Sequence, residues 1–464
     1  MQKSQTVENL TQNQLTFILE NQKAFFATHQ SKSIDFRILQ LKKLKAVIKK
    51  YKAEITIALH KDLGKSEQEA YLTEISIVNQ EIDFHISNIR EWTQLKKVHT
   101  PIHLLPSKSR IQHEPLGLAL IIAPWNYPFQ LLFNPLIGSI SAGCTTILKP
   151  SPYTPEIASL MDKMIKETFD ENYVAIVHGG KEENELLLKQ RFDIIFFTGS
   201  PTLGKVVMRA AAEYLTPVIL ELGGKSPCIV YESANIDVAA KRIAWSKTIN
   251  AGQTCIAPDY LLVHESIKDK LLTKIEQELI KMFGEDSQSS EFYPRIVNHK
   301  AFERLKRLMQ HGTIRFGGKI DESDKFISPT IIDDVKADYP IMQEEIFGPL
   351  LPVVTFKNIQ ESIDFVNKNE KPLALYVYSD SKTANEVLLK TSSGGACIND
   401  CLMHIANHYL PFGGVGNSGM GGYHGHKSFL AFSNEKAVVS SSTLIDLPFK
   451  YVPFKYFNWI KKII

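Results

Sequence analysis

The stretch NAGQTCIAPDY, residues 250–260, places one cysteine, Cys255, in a small and nearly uncharged loop. A cysteine acts as a nucleophile when a base takes its proton and a hydrogen-bond donor stabilises the oxyanion formed by its attack on a carbonyl. Free cysteines are also commonly buried and inert, and then serve as small apolar side chains. The loop alone leaves both interpretations of Cys255 open.

Two polar side chains elsewhere in the chain have the chemistry to assist a cysteine nucleophile. Glu221 ends the apolar run of ELGG, where burial would raise its pKa toward that of a general base. Asn126 lies in PWNYP, and its side-chain amide can donate a hydrogen bond to an oxyanion. The ordinary alternative for Glu221 is a carboxylate that caps the following turn. It is the combination of the three residues that favours covalent catalysis.

Three further motifs have features of a nucleotide site. Gly199 and Ser200, in FTGSPTLGK, follow an apolar run and precede a helical pattern, so backbone N–H groups there could hold a phosphate. The glycine spacing differs from the usual dinucleotide fingerprint and also suits a plain turn. Lys149, in LKPS, could meet a ribose or a phosphate, or point into water. Glu345 and Phe347, in QEEIFGP, lie beside a tight turn and mean little by themselves.

The elements that must position these residues alternate between short apolar runs and helical patterns. Between residues 116 and 224 the apolar runs are LGLALIIA, TTILKP, YVAIVHGG, DIIFFTGS and TPVILELGG. A second block begins near residue 223 and continues through SPCIVYE, LLPVVTF, LALYVYS and GACIND. This order predicts an α/β protein with two doubly wound parallel sheets. Ligands of such sheets lie beyond the carboxyl ends of the strands, so we expect LKPS, FTGS, ELGG and QEEIFGP there.

Composition narrows the class of protein. The 464 residues carry 53 basic and 50 acidic side chains, a formal net charge of +3 that argues against a nucleic-acid partner. The length is sufficient for two or three domains. Five cysteines, an odd number without framework spacing, indicate a reducing and therefore cytoplasmic setting. The N-terminus lacks the basic-then-apolar order of a signal peptide.

One long apolar stretch could be taken for a membrane span. Residues 115–148 contain no charged side chain over more than the length of a spanning helix. Pro124, Pro128 and Pro135 would break such a helix repeatedly. The favoured interpretation is therefore a strand, a helix and a second strand of a buried sheet.

Six motifs occur in the order and at roughly the spacing of the aldehyde dehydrogenase superfamily: APWNYP, FTGS, ELGGKSP, NAGQTCIAPDY, EEIFGP and LPFGGVGNSGMGGYHG. The similarity runs from about Phe36 to about Val439. The cysteine motif and the late glycine-rich segment resemble the class 3 branch, which includes fatty aldehyde and coniferyl aldehyde dehydrogenases. The resemblance implies oxidation of an aldehyde to the acid with NAD, through a thiohemiacetal and a thioester on the cysteine.

By motif, the resemblance assigns each site residue. Cys255 would be the nucleophile, Glu221 the general base, and Asn126 with the Cys255 backbone N–H the oxyanion hole. The cofactor would be bound by Trp125, Lys149, Thr198, Gly199, Ser200, Glu345 and Phe347. No metal site is implied.

One position departs from the family pattern. Many relatives carry a glutamate three residues after the lysine of LKPS, where it binds the adenosine ribose; here that position is Pro152. Proline has neither the acceptor nor the charge that repels a 2′-phosphate, so NADP is expected to be tolerated. Two other classes stay open: a cysteine thioesterase or esterase without redox chemistry, and a non-catalytic structural or binding protein.

The resemblance also implies an architecture. It predicts an atypical Rossmann cofactor domain, a catalytic domain, a small β element that bridges two subunits of a homodimer, and a tail. The cofactor domain would comprise residues 1–92 and 112–222, and the catalytic domain residues 223–423. The bridging element would comprise residues 93–111 and 424–447, and the tail residues 448–464.

The tail is amphipathic. Phe457, Ile460 and Ile464 would share one helical face, away from Lys461 and Lys462. It is too short to span a bilayer. Three interpretations stay open: a cover over the substrate mouth or a subunit contact, a peripheral contact with the inner face of the membrane, or disorder. The first two favour long, apolar aldehydes as substrates.

Overall fold

The computed structural model describes residues 11–454 and 456–461. Its α-helices are α1 (Gln12–Ala27), α2 (Ile34–Lys50), α3 (Lys52–Leu63), α4 (Glu67–Ala70), α5 (Ser76–Trp92), α6 (Gln130–Ala142), α7 (Pro155–Thr168), α8 (Lys181–Leu188), α9 (Pro201–Ala212), α10 (Ile236–Thr248), α11 (Lys268–Phe283), α12 (His299–Leu308), α13 (Pro340–Gln343), α14 (Ile359–Lys368), α15 (Ser381–Lys390), α16 (His426–Ala431) and α17 (Phe457–Ile460). A π-helical turn, Tyr71–Ile75, joins α4 to α5.

The strands are β1 (Lys96–Val98), β2 (Lys108–Pro115), β3 (Leu118–Ile122), β4 (Thr145–Lys149), β5 (Val174–Ile176), β6 (Ile194–Thr198), β7 (Val218–Glu221), β8 (Pro227–Val230), β9 (Tyr260–His264), β10 (Thr313–Phe316), β11 (Ile320–Asp321), β12 (Phe326–Ile327), β13 (Thr330–Asp333), β14 (Leu350–Phe356), β15 (Ala374–Tyr378), β16 (Gly395–Ile398), β17 (Gly419–Met420) and β18 (Ser433–Ser440).

The first sheet has the order β17-β7-β6-β3-β4-β5. All neighbours are parallel except β17, which runs antiparallel to β7. Strands β3, β4 and β6 are buried along their whole length, as expected of strands covered on both faces. The chain winds outward from β3 in both directions, so the topological switch point lies between β3 and β6. The predicted alternation of strands and helices is confirmed here.

The second sheet has the order β10-β13-β14-β9-β8-β15-β16, parallel except for the pair β10 and β13. The predicted runs SPCIVYE, LLPVVTF, LALYVYS and GACIND form β8, β14, β15 and β16. The α/β class with two doubly wound sheets is therefore confirmed, with one antiparallel edge strand on each sheet.

The predicted motifs do not all lie at carboxyl ends of strands. Lys149, Thr198 and Glu221 are the last residues of β4, β6 and β7. Glu345 and Phe347 instead precede β14, so the expectation for QEEIFGP is wrong. Because β14 runs parallel to its neighbours, the chain has to cross back to the amino edge of the sheet before entering it.

The charge-free stretch folds as β3, α6 and β4. Every residue of α6 is buried, which explains why the sequence carries no charge there. The 13 residues of α6 fall short of the roughly 20 that a spanning helix needs. Within the described parts of the chain, no helix has both the length and the apolar character to cross a membrane.

A third, antiparallel sheet has the order β1-β2-β18. Its long pairing runs from Ser433 opposite Pro115 to Ser440 opposite Lys108. Apolar side chains on it are exposed, among them Val98 and Val439. Beyond it, the described part of the tail contains a 3-10 turn, Pro448–Lys450, and the single turn α17, in which Phe457 is exposed. Of the residues in the predicted amphipathic pattern, position 464 of the apolar face and position 462 of the polar side lie outside the described residues.

Candidate active site

The candidate site lies where the carboxyl ends of β6 and β7 face the amino ends of β9 and β14. Glu221 ends β7, Cys255 lies five residues before β9, and Glu345 lies five residues before β14. The two sheets thus contribute opposite strand ends to one region. This arrangement explains how motifs more than a hundred residues apart in the chain come together.

Residues 250–260, which we call the nucleophile loop after the predicted role of Cys255, begin with a left-handed turn. Asn250 and Ala251 both have φ of 51°, and Gly252 has φ of 73°. Non-glycine residues adopt this region at a cost and need support from their surroundings. At Gly252 a side chain would collide with the Gly348 carbonyl, so only glycine fits. The turn therefore aims Cys255 by a conformation that its neighbours must maintain.

Gln253 provides much of that support, and its role was not predicted. Its fully buried side chain donates hydrogen bonds to the carbonyls of Asn250 and Arg295, both at 3.0 Å, and accepts one from the Val297 N–H at 3.0 Å. One amide thus ties the loop to itself and to a neighbouring segment. A glutamine two residues before a cysteine gives no signal of this role in the sequence.

Cys255 is half-buried and unpaired. Burial raises the pKa of its thiol to about 12, with further contributions from the Glu345 and Glu221 carboxylates. The thiol is therefore protonated at neutral pH in this structure. A reaction at sulfur requires a proton acceptor and a change in the surrounding charge.

Glu221 is 2% exposed, and burial raises its pKa well above the usual value. Neither carboxylate oxygen has a hydrogen-bond partner within the described residues. The alternative that Glu221 caps the following turn is therefore wrong, and the expectation of a buried carboxyl with a raised pKa is confirmed. An unpaired buried carboxyl is suited to exchanging protons with a thiol or a water molecule.

Asn126 is buried next to the nucleophile loop. Its Nδ2 donates to the Gln253 carbonyl at 3.0 Å, which leaves the second N–H of the amide available. The Asn126 carbonyl accepts hydrogen bonds from Asn250 Nδ2 at 2.8 Å and from Lys65 Nζ at 3.0 Å. Asn126 is therefore fixed to the same loop that carries Cys255, as an oxyanion donor would have to be.

An ion pair joins three of the motifs. Lys225, in ELGGKSP, and Asp259, in NAGQTCIAPDY, lie 2.5 Å apart. Asp259 Oδ1 also accepts the N–H of Ile346, in EEIFGP, at 2.9 Å. Lys225 Nζ further donates to the carbonyls of Ile341 and Glu344, both at 2.9 Å. The sequence analysis did not identify either charged residue. In a sequence, a lysine and an aspartate in separate loops cannot be told from ordinary surface residues.

Glu345 and Phe347 are held by this arrangement. The Glu345 carboxylate lies against Gly223, where a side chain would collide with it. Burial, followed by the proximity of Asp259, raises the pKa of Glu345 to about 8. The rings of Phe347 and Trp125 meet edge to face with centroids 5.4 Å apart. A carboxylate and an aromatic wall are thus presented together.

The carboxyl end of the first sheet presents polar groups that fit a nucleotide. Lys149 is buried, and its Nζ donates to the carbonyls of Pro150 at 3.0 Å and Gly179 at 2.6 Å, so the alternative that it points into water is wrong. Burial lowers the pKa of Lys149 to about 8. The hydroxyl of Thr198 is buried with no partner in the part of the chain that is described. Both groups have hydrogen-bonding capacity left for a ligand.

The turn after β6 leads directly into α9, and its residues bond within the protein. The Gly199 N–H donates to the Glu221 carbonyl at 3.0 Å, and a side chain at Gly199 would overlap the Phe197 ring. Ser200 caps α9 by accepting the Leu203 N–H at 3.4 Å. Beside β4 and β5 lies a cavity of about 990 Å³ whose wall includes Ser151, Pro152, His178 and Gly179.

A second cavity, of about 590 Å³, reaches Cys255. We call it the tunnel. Tyr127, Thr254 and Glu69 line it near the nucleophile loop. Most of its wall is apolar and includes Leu131, Trp245, Met282, Phe283, Phe292 and Phe412. No described residue of the tail lines it.

Lys247 is a further buried group that sequence reasoning missed. Its side chain lies on α10, is 3% exposed, and has no hydrogen-bond partner for Nζ among the residues described. Burial lowers its pKa to about 8, an effect opposed by Asp259 and Glu345. Lys247 thus places an amino group with a lowered pKa beside the carboxyl groups of Asp259 and Glu345.

The sequence model of the aldehyde dehydrogenase family matches residues 2–438. A 4,4′-diaponeurosporen-aldehyde dehydrogenase of Staphylococcus aureus is 51% identical over 443 residues, which cover 95% of this chain and 96% of that protein. The dimeric NADP-preferring aldehyde dehydrogenase of Rattus norvegicus is 44% identical over 420 residues, 90% of this chain and 93% of that protein.

Solved structures give the same result. A substrate-bound state of Staphylococcus aureus AldH superposes with a TM-score of 0.94 at 49% identity and covers 97% of this chain and 99% of that chain. An NAD-dependent aldehyde dehydrogenase of Sinorhizobium meliloti superposes with a TM-score of 0.85 at 27% identity, over 93% of this chain and 88% of that chain.

The ion pair between Lys225 and Asp259 predicts coupled effects on stability. Asp259→Leu and Lys225→Met are each expected to lower the free energy of unfolding by about 3–5 kcal/mol, because each leaves a buried charge unpaired. The double variant is expected to recover more than about 1 kcal/mol relative to the sum of the two losses. Urea unfolding followed by tryptophan fluorescence measures all four proteins. Strictly additive losses would show that the pair does not couple the loops.

Proposed function

The chain belongs to the aldehyde dehydrogenase family, and we propose that it uses Cys255 as the nucleophile, Glu221 as the general base, and Asn126 with the Cys255 backbone N–H as the oxyanion hole. It oxidises an aldehyde to the carboxylic acid. One observation carries the assignment: Cys255 lines a tunnel while Asn126 donates to the loop that holds it. The assignment by motif supports the same three residues.

In the first half of the reaction, the Cys255 thiol gives its proton to solvent water and the thiolate adds to the aldehyde carbon. The carbonyl oxygen becomes an oxyanion, which accepts hydrogen bonds from the free N–H of Asn126 and from the Cys255 backbone. A bound nicotinamide supplies the acceptor for the hydride that then leaves the substrate carbon. The acyl group is left as a thioester on Cys255.

In the second half, a water molecule attacks the thioester. Glu221 takes a proton from that water, which makes it nucleophilic. The C–S bond breaks, the acid is released, and the Cys255 thiolate takes the proton held by Glu221, which restores both groups. The raised pKa of Glu221 supports this role, because a carboxylate with a raised pKa is a stronger base toward the attacking water.

For the cofactor, we propose that Lys149, Thr198, Gly199 and Ser200 hold the adenosine ribose and the pyrophosphate. Glu345, Phe347 and Trp125 would hold the nicotinamide end. The spare hydrogen-bonding capacity of Lys149 and Thr198 supports this fit. Both NAD and NADP are proposed as cofactors, since Pro152 lines the nearby cavity without a charge and the rat relative is NADP-preferring by name.

The substrate is proposed to be a long or otherwise apolar aldehyde. The largely apolar wall of the tunnel supports this class, because such surface is desolvated at little cost by a hydrocarbon chain. The Staphylococcus aureus relative acts, by its name, on a diaponeurosporen aldehyde. That name is consistent with the same class.

We propose a homodimer joined through the sheet β1-β2-β18, with the domain division given by the resemblance. Exposed apolar side chains on this sheet, such as Val98 and Val439, support an interface. Residues 419–420 fall in the proposed catalytic segment, yet they pair with β7 of the first sheet. The catalytic segment would thus return to the cofactor domain near its end.

We also propose a cytoplasmic location, in which the tail touches the tunnel mouth, a partner subunit or the membrane surface. Five free cysteines support a reducing compartment. Exposed Val452, Phe454, Tyr456 and Phe457 support a tail that contacts another surface.

Cys255→Ser tests the nucleophile. Cofactor reduction with an aldehyde is expected to fall below a few per cent of wild type while cofactor binding stays unchanged, because a serine hydroxyl supplies almost no anion at neutral pH. Absorbance at the nicotinamide band and tryptophan quenching by NAD measure the two properties. The matched control is Cys397→Ser, also half-buried, which should keep full activity. Appreciable residual activity of Cys255→Ser would remove the assignment.

Pro152→Glu tests cofactor choice. The new carboxylate should accept hydrogen bonds from the ribose hydroxyls and repel a 2′-phosphate, which shifts the preference toward NAD. The ratio of kcat/KM for NAD to that for NADP is expected to rise by about tenfold, and Pro152→Gln, which adds an acceptor without charge, by less. An unchanged ratio would exclude position 152 from the selection.

Deletion of the chain after Pro448 tests the tail. Turnover of a long-chain aldehyde is expected to weaken much more than turnover of propanal, since a cover or a lipid contact matters only for a long apolar chain. Co-sedimentation with anionic liposomes separates the mechanisms, because lipid contact is lost on deletion and weakened by salt. Equal losses for both substrates would limit the tail to folding or subunit contact.

A further inference from the structure

Residues 65–74 carry buried charged side chains that the proposed reaction does not use. Lys65 and Glu74 form an ion pair at 2.6 Å, and both side chains are fully buried. Lys65 Nζ also donates to the Asn126 carbonyl at 3.0 Å and lies 4.1 Å from the centre of the Tyr127 ring. We call residues 65–74 the clamp segment, because its charged side chains hold neighbouring elements.

The second contact of the clamp segment is at the start of α6. Glu74 Oε2 accepts the N–H groups of Phe129 and Gln130, both at 3.0 Å. These donors lie at the N-terminal end of the helix, Phe129 as the cap residue and Gln130 as the first helical residue, where a carboxylate is favourable. Lys65 and Glu74 together therefore fix the backbone on both sides of Tyr127, including Asn126.

The third contact, through Glu69, is with the nucleophile loop. Glu69 Oε1 accepts the Asn250 N–H at 2.7 Å. Asn250 opens the left-handed turn that precedes Cys255. The same Glu69 side chain lines the tunnel together with Thr254 and Cys255. It thus connects the substrate-facing wall with the strained turn that aims the thiol.

We propose that Glu69 is a positioning residue for Cys255, whose carboxylate holds the Asn250 N–H and thereby the left-handed turn that sets the thiol in the tunnel. The proposal rests on Cys255 being the nucleophile. Hydrogen bonds to an ionised acceptor are roughly twice as strong as those to a neutral one. The turn is therefore held more tightly when Glu69 is ionised.

The surroundings make Glu69 titrate in the working range of an enzyme. Burial raises the pKa of Glu69 to about 7; Lys65 and the Asn250 N–H oppose the rise, and Glu74 adds to it. Tyr127 and Tyr293 also face this carboxylate from neighbouring segments. Above pH 7 the ionised form dominates and holds the turn, and below pH 7 the neutral form replaces it.

The test measures alkylation of Cys255 by iodoacetamide, without aldehyde or cofactor, by mass spectrometry of the Cys255 peptide. The rate for wild type is divided by the rate for Glu69→Gln at each pH, so that the titration of the thiol itself cancels. Glutamine keeps an oxygen acceptor of the same shape but does not titrate. The ratio is expected to be near 1 below about pH 6 and to rise to roughly 5 above about pH 8.

Two further variants complete the test. Glu67→Gln, exposed on the same helix, is the matched control, and its ratio to wild type should stay at 1 at every pH. Glu69→Ala removes the acceptor and is expected to react about tenfold more slowly than Glu69→Gln throughout. Rescue by glutamine separates a hydrogen-bonding role from simple loss of packing.

Three results would overturn the proposal: a ratio that stays flat with pH, equal rates for Glu69→Ala and Glu69→Gln, or a ratio that falls above pH 7. The last would mean that the carboxylate only repels the thiolate as a like charge. Each of these leaves Cys255 as the nucleophile, because alkylation does not depend on aldehyde oxidation. Full activity of Cys255→Ser would instead remove the premise.

Discussion

The hydrogen bonds of one buried amide, Gln253, hold together the segments that form the proposed active site. The side chain holds the left-handed turn at Asn250 and links it to the segment before Val297, while the Gln253 carbonyl receives the amide of Asn126. A nucleophile and its oxyanion donor must keep their relative position to within a fraction of an ångström to be effective. In the proposed site, the positions of Cys255 and Asn126 both depend on Gln253. The ion pair of Lys225 and Asp259 connects the loop that carries Cys255 to a third segment, ELGGKSP.

Burial sets the electrostatic state of the site. It raises the pKa of Cys255 to about 12 and that of Glu345 to about 8, and it raises the pKa of Glu221 well above its usual value. These pKa shifts favour a protonated thiol and uncharged carboxyl groups at neutral pH. A positively charged ring bound beside these groups would favour their ionised forms.

The sequence was sufficient to predict the fold class and to locate the motifs that identify the family. Apolar runs of five residues buried on both faces, such as β3 and β6, are the clearest signals of a parallel sheet, and both were predicted. The position of Glu345 was predicted wrongly, because periodicity locates a strand but does not tell at which edge of the sheet a preceding loop lies. Gln253, Lys225 and Glu69 were missed for a different reason. Their roles arise from partners 34 to 181 residues away, and nothing local distinguishes them from surface residues.

The central step of the proposed reaction is the transfer of an acyl group to Cys255 and its release with the help of Glu221. The direct measurement is intact-protein and peptide mass spectrometry of Glu221→Gln, quenched after mixing with a long-chain aldehyde and NAD. We expect this variant to carry about one acyl group per subunit on the peptide that contains Cys255, together with one equivalent of reduced cofactor and no further turnover. Continued turnover with no adduct on Cys255, or an adduct on another residue, would contradict it.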